Sequence, residues 1–424
     1  MPLAYDIRDH TLDNGLRVLV SEDHHTPTAA INLWVRVGSG HEPEGTTGFA
    51  HLFEHLMFQG SRNVASGEHF AALMAHGARL NATTWFDRTN FFETVPTGAF
   101  ELALWMEADR HGYLLDAVTQ ENLDNQRDVV KEEKRQRYDN APYGNALNDL
   151  YQLVFPPGHP YRHPTIGSMA DLDAATLEDV HTFYRRWYVP SNTVLTIAGA
   201  VRADEAIRAA ERYFGPLPAV PPPAQLKTAP LPALDAPVRL DRTEKVPASR
   251  VYMGFRLPRD HTPDFLAASC ALDCLGGLTI SRLERALVRG EELADHVSAG
   301  AMGLAAGVSL GYVILQAADG VDPVRLEERA CELLADFAQQ GPTPIDMEAA
   351  LAQAERAWLH ALASLDERAD AISHSASLYD DPGAVNTFLD RLGAVTAEQV
   401  GQASRDWLRT ENRAVVAITP NAGE

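Results

Sequence analysis

His51, Glu54 and His55 stand within the apolar run "HLFEHLMF". Three ionisable groups in a segment that otherwise buries its side chains need a partner, because a buried charge is costly unless it is paired. On a helix, His51 and His55 lie one turn apart on one face, and two imidazoles so placed can bind one metal ion. Glu54 follows His51 by three residues, shares that face and adjoins His55. Its carboxylate can therefore reach a water beside the metal rather than the metal itself. Two imidazoles, one carboxylate and a fourth position left to water form a catalytic zinc arrangement. Zinc brings the pKa of water to about 7, and a nearby glutamate can take the proton. The competing reading is a pair of satisfied core or surface histidines.

A third ligand is required, and "DVVKEEKRQR" offers Glu132 and Glu133. Glu133 has Val129 and Val130 at i−4 and i−3, which assigns it to an apolar, inward row. Glu132 follows Asp128 on the charged side. The rest of the charge run from Lys131 to Arg137 reads as a solvated helix face.

These residues need elements to hold them. "TTGFAHLFEHLMFQG" reads as a helix capped near Thr46 or Thr47, with Gly60 beyond its end. "TQENLDNQRDVVKEEKRQR" reads as a long helix capped near Thr119, with Glu121 in its first turn. "LRVLVSED" and "AINLWVRVGS" read as strands, and "NATTWFDRTNFFETVP" as a strand or hairpin.

The chain has 424 residues, too many for one ordinary core, so two or more domains are expected. The proline-rich stretch 218–236 reads as an extended linker between residues 1–217 and 237–424. The two parts repeat each other. "ATLEDVHTFYRRWYVPSNTVLTIAG" and "VTAEQVGQASRDWLRTENRAVVAIT" align without a gap at an offset of 220 (395 − 175 = 220), matching Thr176/Thr396, Glu178/Glu398, Val180/Val400, Arg185/Arg405, Trp187/Trp407 and Asn192/Asn412. Both read as a helix followed by an apolar strand, which suggests one α+β domain used twice.

The composition, 45% hydrophobic and 22% charged, is that of a globular chain. A net charge of −22 argues against a nucleic-acid partner. Three cysteines, Cys270, Cys274 and Cys331, do not form a disulfide framework and read as buried free thiols. No apolar run reaches the roughly 18 residues of a membrane span. The N-terminal residues lack the pattern of a signal peptide. The expected location is periplasmic if a leader preceded Met1 and cytoplasmic otherwise.

The sequence resembles the pitrilysin/insulinase family of zinc peptidases, the inverzincins. The resemblance covers nearly the whole chain and is carried by "LDNGLRVLVSEDHHTP", "GTTGFAHLFEHLMFQGS", "LNATTWFDRTNFF", "NQRDVVKEEKRQRYDNAPYGN", "HPYRHPTIGSMADLDAATLEDVHTFYRRWYVPSNTVLTIAG" and "ISRLERALVRGEELA". It implies two homologous α/β sandwich domains, each a largely antiparallel sheet packed with helices, forming half of a clamshell. It implies one Zn2+ per chain held by His51, His55 and Glu133, with Glu54 as general base, in an enzyme that hydrolyses peptides or unfolded segments. It also implies that Asn81 and Ala82 lie on an edge strand that accepts the peptide as an added strand.

Two positions depart from the family pattern. Gln126 stands where many members carry a glutamate supporting a ligand histidine; an amide can still accept a hydrogen bond from an imidazole N–H. Arg289 matches the arginine that holds the substrate carbonyl, but His296 stands where active members have a tyrosine. Either His296 substitutes, in a homodimer, or a homologous second subunit supplies the arginine–tyrosine pair, in a heterodimer. A non-catalytic assembly subunit is the alternative function.

Overall fold

The computed structural model describes residues 3–421. Among them the strands are β1 (Arg8–Thr11), β2 (Arg17–Glu22), β3 (Thr28–Val35), β4 (Arg79–Thr84), β5 (Thr89–Pro96), β6 (Thr193–Gly199), β7 (Val238–Glu244), β8 (Arg250–Leu257), β9 (Ala294–Met302), β10 (Ser309–Ala317) and β11 (Ala414–Pro420). The helices of the first half are α1 (Phe49–Leu56), α2 (Glu68–Ala75), α3 (Phe100–Tyr113), α4 (Gln120–Lys134), α5 (Ala146–Val154), α6 (Met169–Ala174), α7 (Leu177–Trp187) and α8 (Ala203–Phe214). Those of the second half are α9 (Pro263–Leu272), α10 (Pro323–Gln340), α11 (Pro344–Ala363), α12 (Leu365–Tyr379), α13 (Ala384–Gly393) and α14 (Ala397–Trp407). No helix among the described residues is long and apolar enough to cross a membrane.

The chain forms two compact units, and neither is continuous in sequence. The first runs to Glu133, resumes over Pro164–Leu226 and takes in Trp358–Phe388; the second comprises Lys134–His163, Lys227–Ala357 and the residues from Leu389 on. The first contains a six-stranded sheet in the order β1-β2-β6-β3-β5-β4. Its neighbours are antiparallel except β2 and β6. The second contains a five-stranded sheet in the order β7-β11-β8-β10-β9, antiparallel except β7 and β11. The parallel pair recurs in both sheets, as does the helix before its later strand. Thr176 caps α7 and Thr396 caps α14, each in a reciprocal capping box. The expected fold, a duplicated α/β domain with largely antiparallel sheets, is the one observed.

Strands β3 and β6 are buried along almost their whole length and mostly apolar, because both faces of the first sheet are covered. Ile31, Leu33, Leu195 and Ile197 pack with Phe100, Leu104 and Phe214 of α3 and α8 on one face. On the other face, Trp34 and Val194 meet Ile372 and Ala376 of α12, a helix encoded beyond the proline-rich stretch. Asp370 of α12 accepts from Trp34 Nε1 (2.9 Å), Asn90 Nδ2 (3.0 Å) and Asn32 Nδ2 (3.2 Å). In the second unit the corresponding cover is α5, from the first half. Its Leu150 and Val154 come so close to β8 that a Cβ on Gly254 would meet them at 2.9 and 2.8 Å. Arg242 of β7 pairs with Asp149 of α5, Nη2 to Oδ1 at 2.7 Å. Helices α5 and α12 correspond at the repeat offset, since Ala146 plus 220 is Asp366 in the first turn of α12. The repeated helix is thus exchanged reciprocally.

The proline-rich stretch has no regular secondary structure but is tied down. Ser191 Oγ donates to Val220 O (2.6 Å), and Thr228 Oγ1 donates to Ala306 O (2.6 Å). Cys270 and Cys274 are buried free thiols and Cys331 is a half-buried one.

Candidate metal centre

Helix α1 starts at Gly48, in the left-handed region (φ 94°), not at a threonine cap. A Cβ there would sit 2.7 Å from Ile166 O, so the position needs glycine. The threonine expected as the cap has other work: Thr47 N donates to Asp171 Oδ2 (2.9 Å) and its hydroxyl accepts from Ser168 N (3.0 Å). The first N–H groups of α1 are taken by the buried carboxylate of Glu42, from Gly48 N at 2.8 Å and Ala50 N at 2.7 Å. Burial pushes the Glu42 carboxyl up to about 8, against the pull of those two donors. The apolar side of α1 packs on α7, with Phe53 against Phe183 (5.0 Å between centroids).

Helix α4 is capped by Thr119 as its sequence suggests: its hydroxyl accepts from Asn122 N, and Asn122 Oδ1 accepts from Thr119 N. The inward row is Leu123, Gln126 and Val130. Val129 is 42% exposed, so half of the periodicity argument for Glu133 was misplaced. Spacing of three and four residues from Leu123 still brings the row to Glu133, half-buried, while Glu132 is exposed. Arg127 fastens α4 by donating to Leu172 O (2.8 Å) and Ala175 O (2.7 Å).

These two helices bring His51, His55 and Glu133 together, with one potential ligand atom of each lying within 4.8 Å of the others. Glu133 Oε2 is 3.3 Å from His55 Nε2 and 3.7 Å from His51 Nε2. Two ligands at zinc–nitrogen and zinc–oxygen bond lengths, set at a tetrahedral angle, lie about 3.3 Å apart. The donor set and its spacing therefore fit a zinc ion. Glu54 stands apart from this cluster, and its Oε2 accepts from Thr84 Oγ1 of β4 at 2.7 Å. Burial raises the Glu54 carboxyl above its ordinary range; the Thr84 hydroxyl, His55 and Arg88 pull it down, and Glu133 adds to the rise.

Gln126 is buried, two turns before Glu133. Asn81 is exposed and Ala82 buried on β4, one of the two edge strands of its sheet. Arg289 and His296 belong to the second unit and are exposed. Arg289 donates to Thr279 O (2.8 Å), and His296 lies on the edge strand β9, opposite Gln316. Sequence reasoning missed Glu42 and Thr84. Strand alternation already sets Thr84 on the same face as Ala82, which was a usable signal; Glu42 left none.

A family model described as "Insulinase (Peptidase family M16)" matches residues 17–154, and one described as "Peptidase M16 inactive domain" matches 174–354. The chain belongs to the insulinase (M16) peptidase family. Among M16 relatives, the zinc protease PqqE of Helicobacter pylori is 29% identical over 68% of this chain and 64% of its own length, so the match spans less than two thirds of that protein. The uncharacterized zinc protease YmxG of Bacillus subtilis is 23% identical over 98% of both. A solved protease from Helicobacter pylori superposes with a TM-score of 0.92 at 22% identity, covering 99% of this chain and 100% of that one. The periplasmic protease PqqL of Escherichia coli superposes at 0.78 with 19% identity, and there 99% of this chain covers 48% of the other.

Proposed function

We propose that this chain is a zinc metallo-endopeptidase for peptides or unfolded polypeptide segments. His51, His55 and Glu133 hold one Zn2+, and Glu54 is the general base. The observation that carries this is the convergence of those three ligand atoms, with Glu54 on the same helix but bonded elsewhere. Relatives of this chain are named zinc proteases, which supports the reading. When bound, zinc lowers the pKa of water to about 7 and polarises a carbonyl. The chain's own residues do the rest. Edge strand β4, with Asn81 and Ala82, offers backbone N–H and C=O groups to an extended peptide. Glu54 accepts a proton from water and returns it to the leaving amine. Gln126 supports a ligand histidine.

The chain acts as the zinc-bearing subunit of a dimer, with Arg289 and His296 as its own incomplete carbonyl clamp and a homologous subunit supplying an arginine–tyrosine pair. The double-length relative of which this fold covers 48% supports a two-copy arrangement. The test is metal content and peptide hydrolysis together. His55→Ala is expected to lose zinc and activity; Glu54→Gln is expected to keep zinc and lose about a hundred- to ten-thousand-fold in rate. Stoichiometric zinc in the first, or near-parental activity in the second, overturns the assignment. A fully active homodimer that His296→Ala inactivates overturns the heterodimer.

A further inference from the structure

The base proposed above takes its side-chain hydrogen bond from outside its own helix. Ala50, one turn before Glu54, has no donor side chain, and Phe58, one turn after, has none either. What holds the carboxylate comes from 30 residues further along the chain: Thr84 Oγ1 donates to Glu54 Oε2 at 2.7 Å. That length is at the upper end for a hydroxyl donating to a carboxylate, the charge-assisted class. The other acceptor near that hydroxyl, Ala50 O, is 3.5 Å away and is a poor competitor.

Thr84 is itself fixed. It is the last residue of β4, opposite Thr89 of β5. Its neighbour Thr83 donates to Asn90 Oδ1 (2.6 Å), and Arg88, half-buried in the turn between the two strands, donates to Thr83 O (3.0 Å). A β-branched side chain on a paired strand has few χ1 choices, so the hydroxyl has a defined direction. Strand β4 is also one of the two edges of the sheet, and it is the edge that reaches Glu54, so on the peptidase reading it is the strand to which a peptide would be added.

We propose that Thr84 is a positioning residue for Glu54. Its hydroxyl occupies Oε2 and fixes the carboxylate plane, leaving Oε1 to take the proton from water; Thr84 keeps its own proton throughout. One six-residue strand thereby both receives the substrate and sets the base, so that a peptide paired to β4 finds the carboxylate already aimed. The inference rests on the peptidase reading.

The test compares Thr84→Val, which keeps the shape and removes the donor, with Thr84→Ser, which keeps the donor. It is run on the zinc-loaded chain, with the partner subunit where activity requires it, on a fluorogenic unfolded peptide. Thr84→Val is expected to bind stoichiometric zinc, keep KM within about two-fold and lose about ten- to a hundred-fold in kcat, a part of what a general base supplies. Thr84→Ser is expected to recover most of that loss. Unchanged kcat in Thr84→Val, or equal loss in both variants, overturns the proposal. Should Thr84→Val not fold, Thr84→Ala against Thr84→Ser makes the same comparison. Crystal structures of the metal-free parent and Thr84→Val give a readout independent of activity. The Glu54 carboxylate is expected to leave its parental position in the variant, and an unmoved carboxylate overturns the proposal. A zinc-loaded parent that cleaves nothing with or without a partner would instead sink the peptidase reading, while the metal-free structures still decide the role of Thr84.

Discussion

Glu93 is fully buried on β5, with a second carboxylate, Glu107, beside it. Arg110 bonds Glu107 through Nε (3.1 Å) and lies between the rings of Phe58 and Phe91, at 4.7 and 4.4 Å from their centroids. His69 Nε2 is 3.4 Å from Glu107 Oε1. Burial raises the carboxyl of Glu93 well above its ordinary range, and the charge of Glu107 adds to it. Burial acts on Glu107 too, but Arg110 and His69 outweigh it and hold that carboxyl near 2. The two shifts run in opposite directions, which favours the charge on Glu107 and the proton on Glu93. A carboxyl whose folded pKa is raised contributes stability that is complete below its unfolded value, near 4.5, and is lost as pH rises toward the folded value. Glu93→Gln imitates the protonated form. The variant is expected to gain stability on the parent as pH rises above 4.5, at up to about 1.4 kcal/mol per pH unit. Urea unfolding at pH 5 and pH 8 measures this, and a difference independent of pH would refute the charge assignment. At this scale the pairing of His51 with His55 was legible, because a spacing of four on one helix is local. Glu133 was legible through its row, although Val129 pointed the wrong way. The Thr84–Glu54 bond was not, because it joins a strand to a helix across 30 residues.

Among the elements, α1 shows how a helix carrying candidate site residues is started without a side-chain cap of its own. Ser, Thr, Asp or Asn immediately before a periodic apolar run marks a helix start, which worked for α4 at Thr119. It failed at α1, where a loop carboxylate six residues before Gly48 does the capping. Glu42→Ala leaves two buried N–H groups without that acceptor and is expected to cost about 1–3 kcal/mol. Glu42→Gln, which keeps a carbonyl acceptor, should cost less. Chemical denaturation of the metal-free proteins gives both numbers, and equal stability of parent and Glu42→Ala would show that the cap is dispensable. The hairpin of β4 and β5 followed from alternation, and the apolar runs of β2, β3 and β6 from burial on both faces.

At the scale of the whole molecule, the duplication was written in the sequence as an ungapped match at one offset. The exchange of α5 and α12 was not. The apolar side of a helix says that it is buried and leaves open which sheet covers it. Residues 1–226 expressed alone would lack α12 and leave Leu19, Trp34 and Val194 without their cover. This fragment is expected to bind hydrophobic dyes and to unfold without a cooperative transition, and adding the fragment 227–424 should restore one. Cooperative unfolding of the first fragment by itself would mean that α12 is an accessory.

The exchange also sets a timetable for synthesis. Strand β6 ends at Gly199 and α12 at Tyr379, so 180 further residues (379 − 199 = 180) must be made before the first sheet receives its second cover. At about 5–20 residues per second, that sheet waits on the order of 10–40 seconds with a tryptophan-bearing face open to the cell. Helix α5 waits longer still in sequence terms, because β11, one of the strands of its sheet, is completed only at Pro420. Neither unit can finish folding from its first elements alone: the first waits for α12 and the second for β11. Growth temperature, translation speed and the supply of chaperones should therefore govern the yield of this protein more than the stability of the finished fold does.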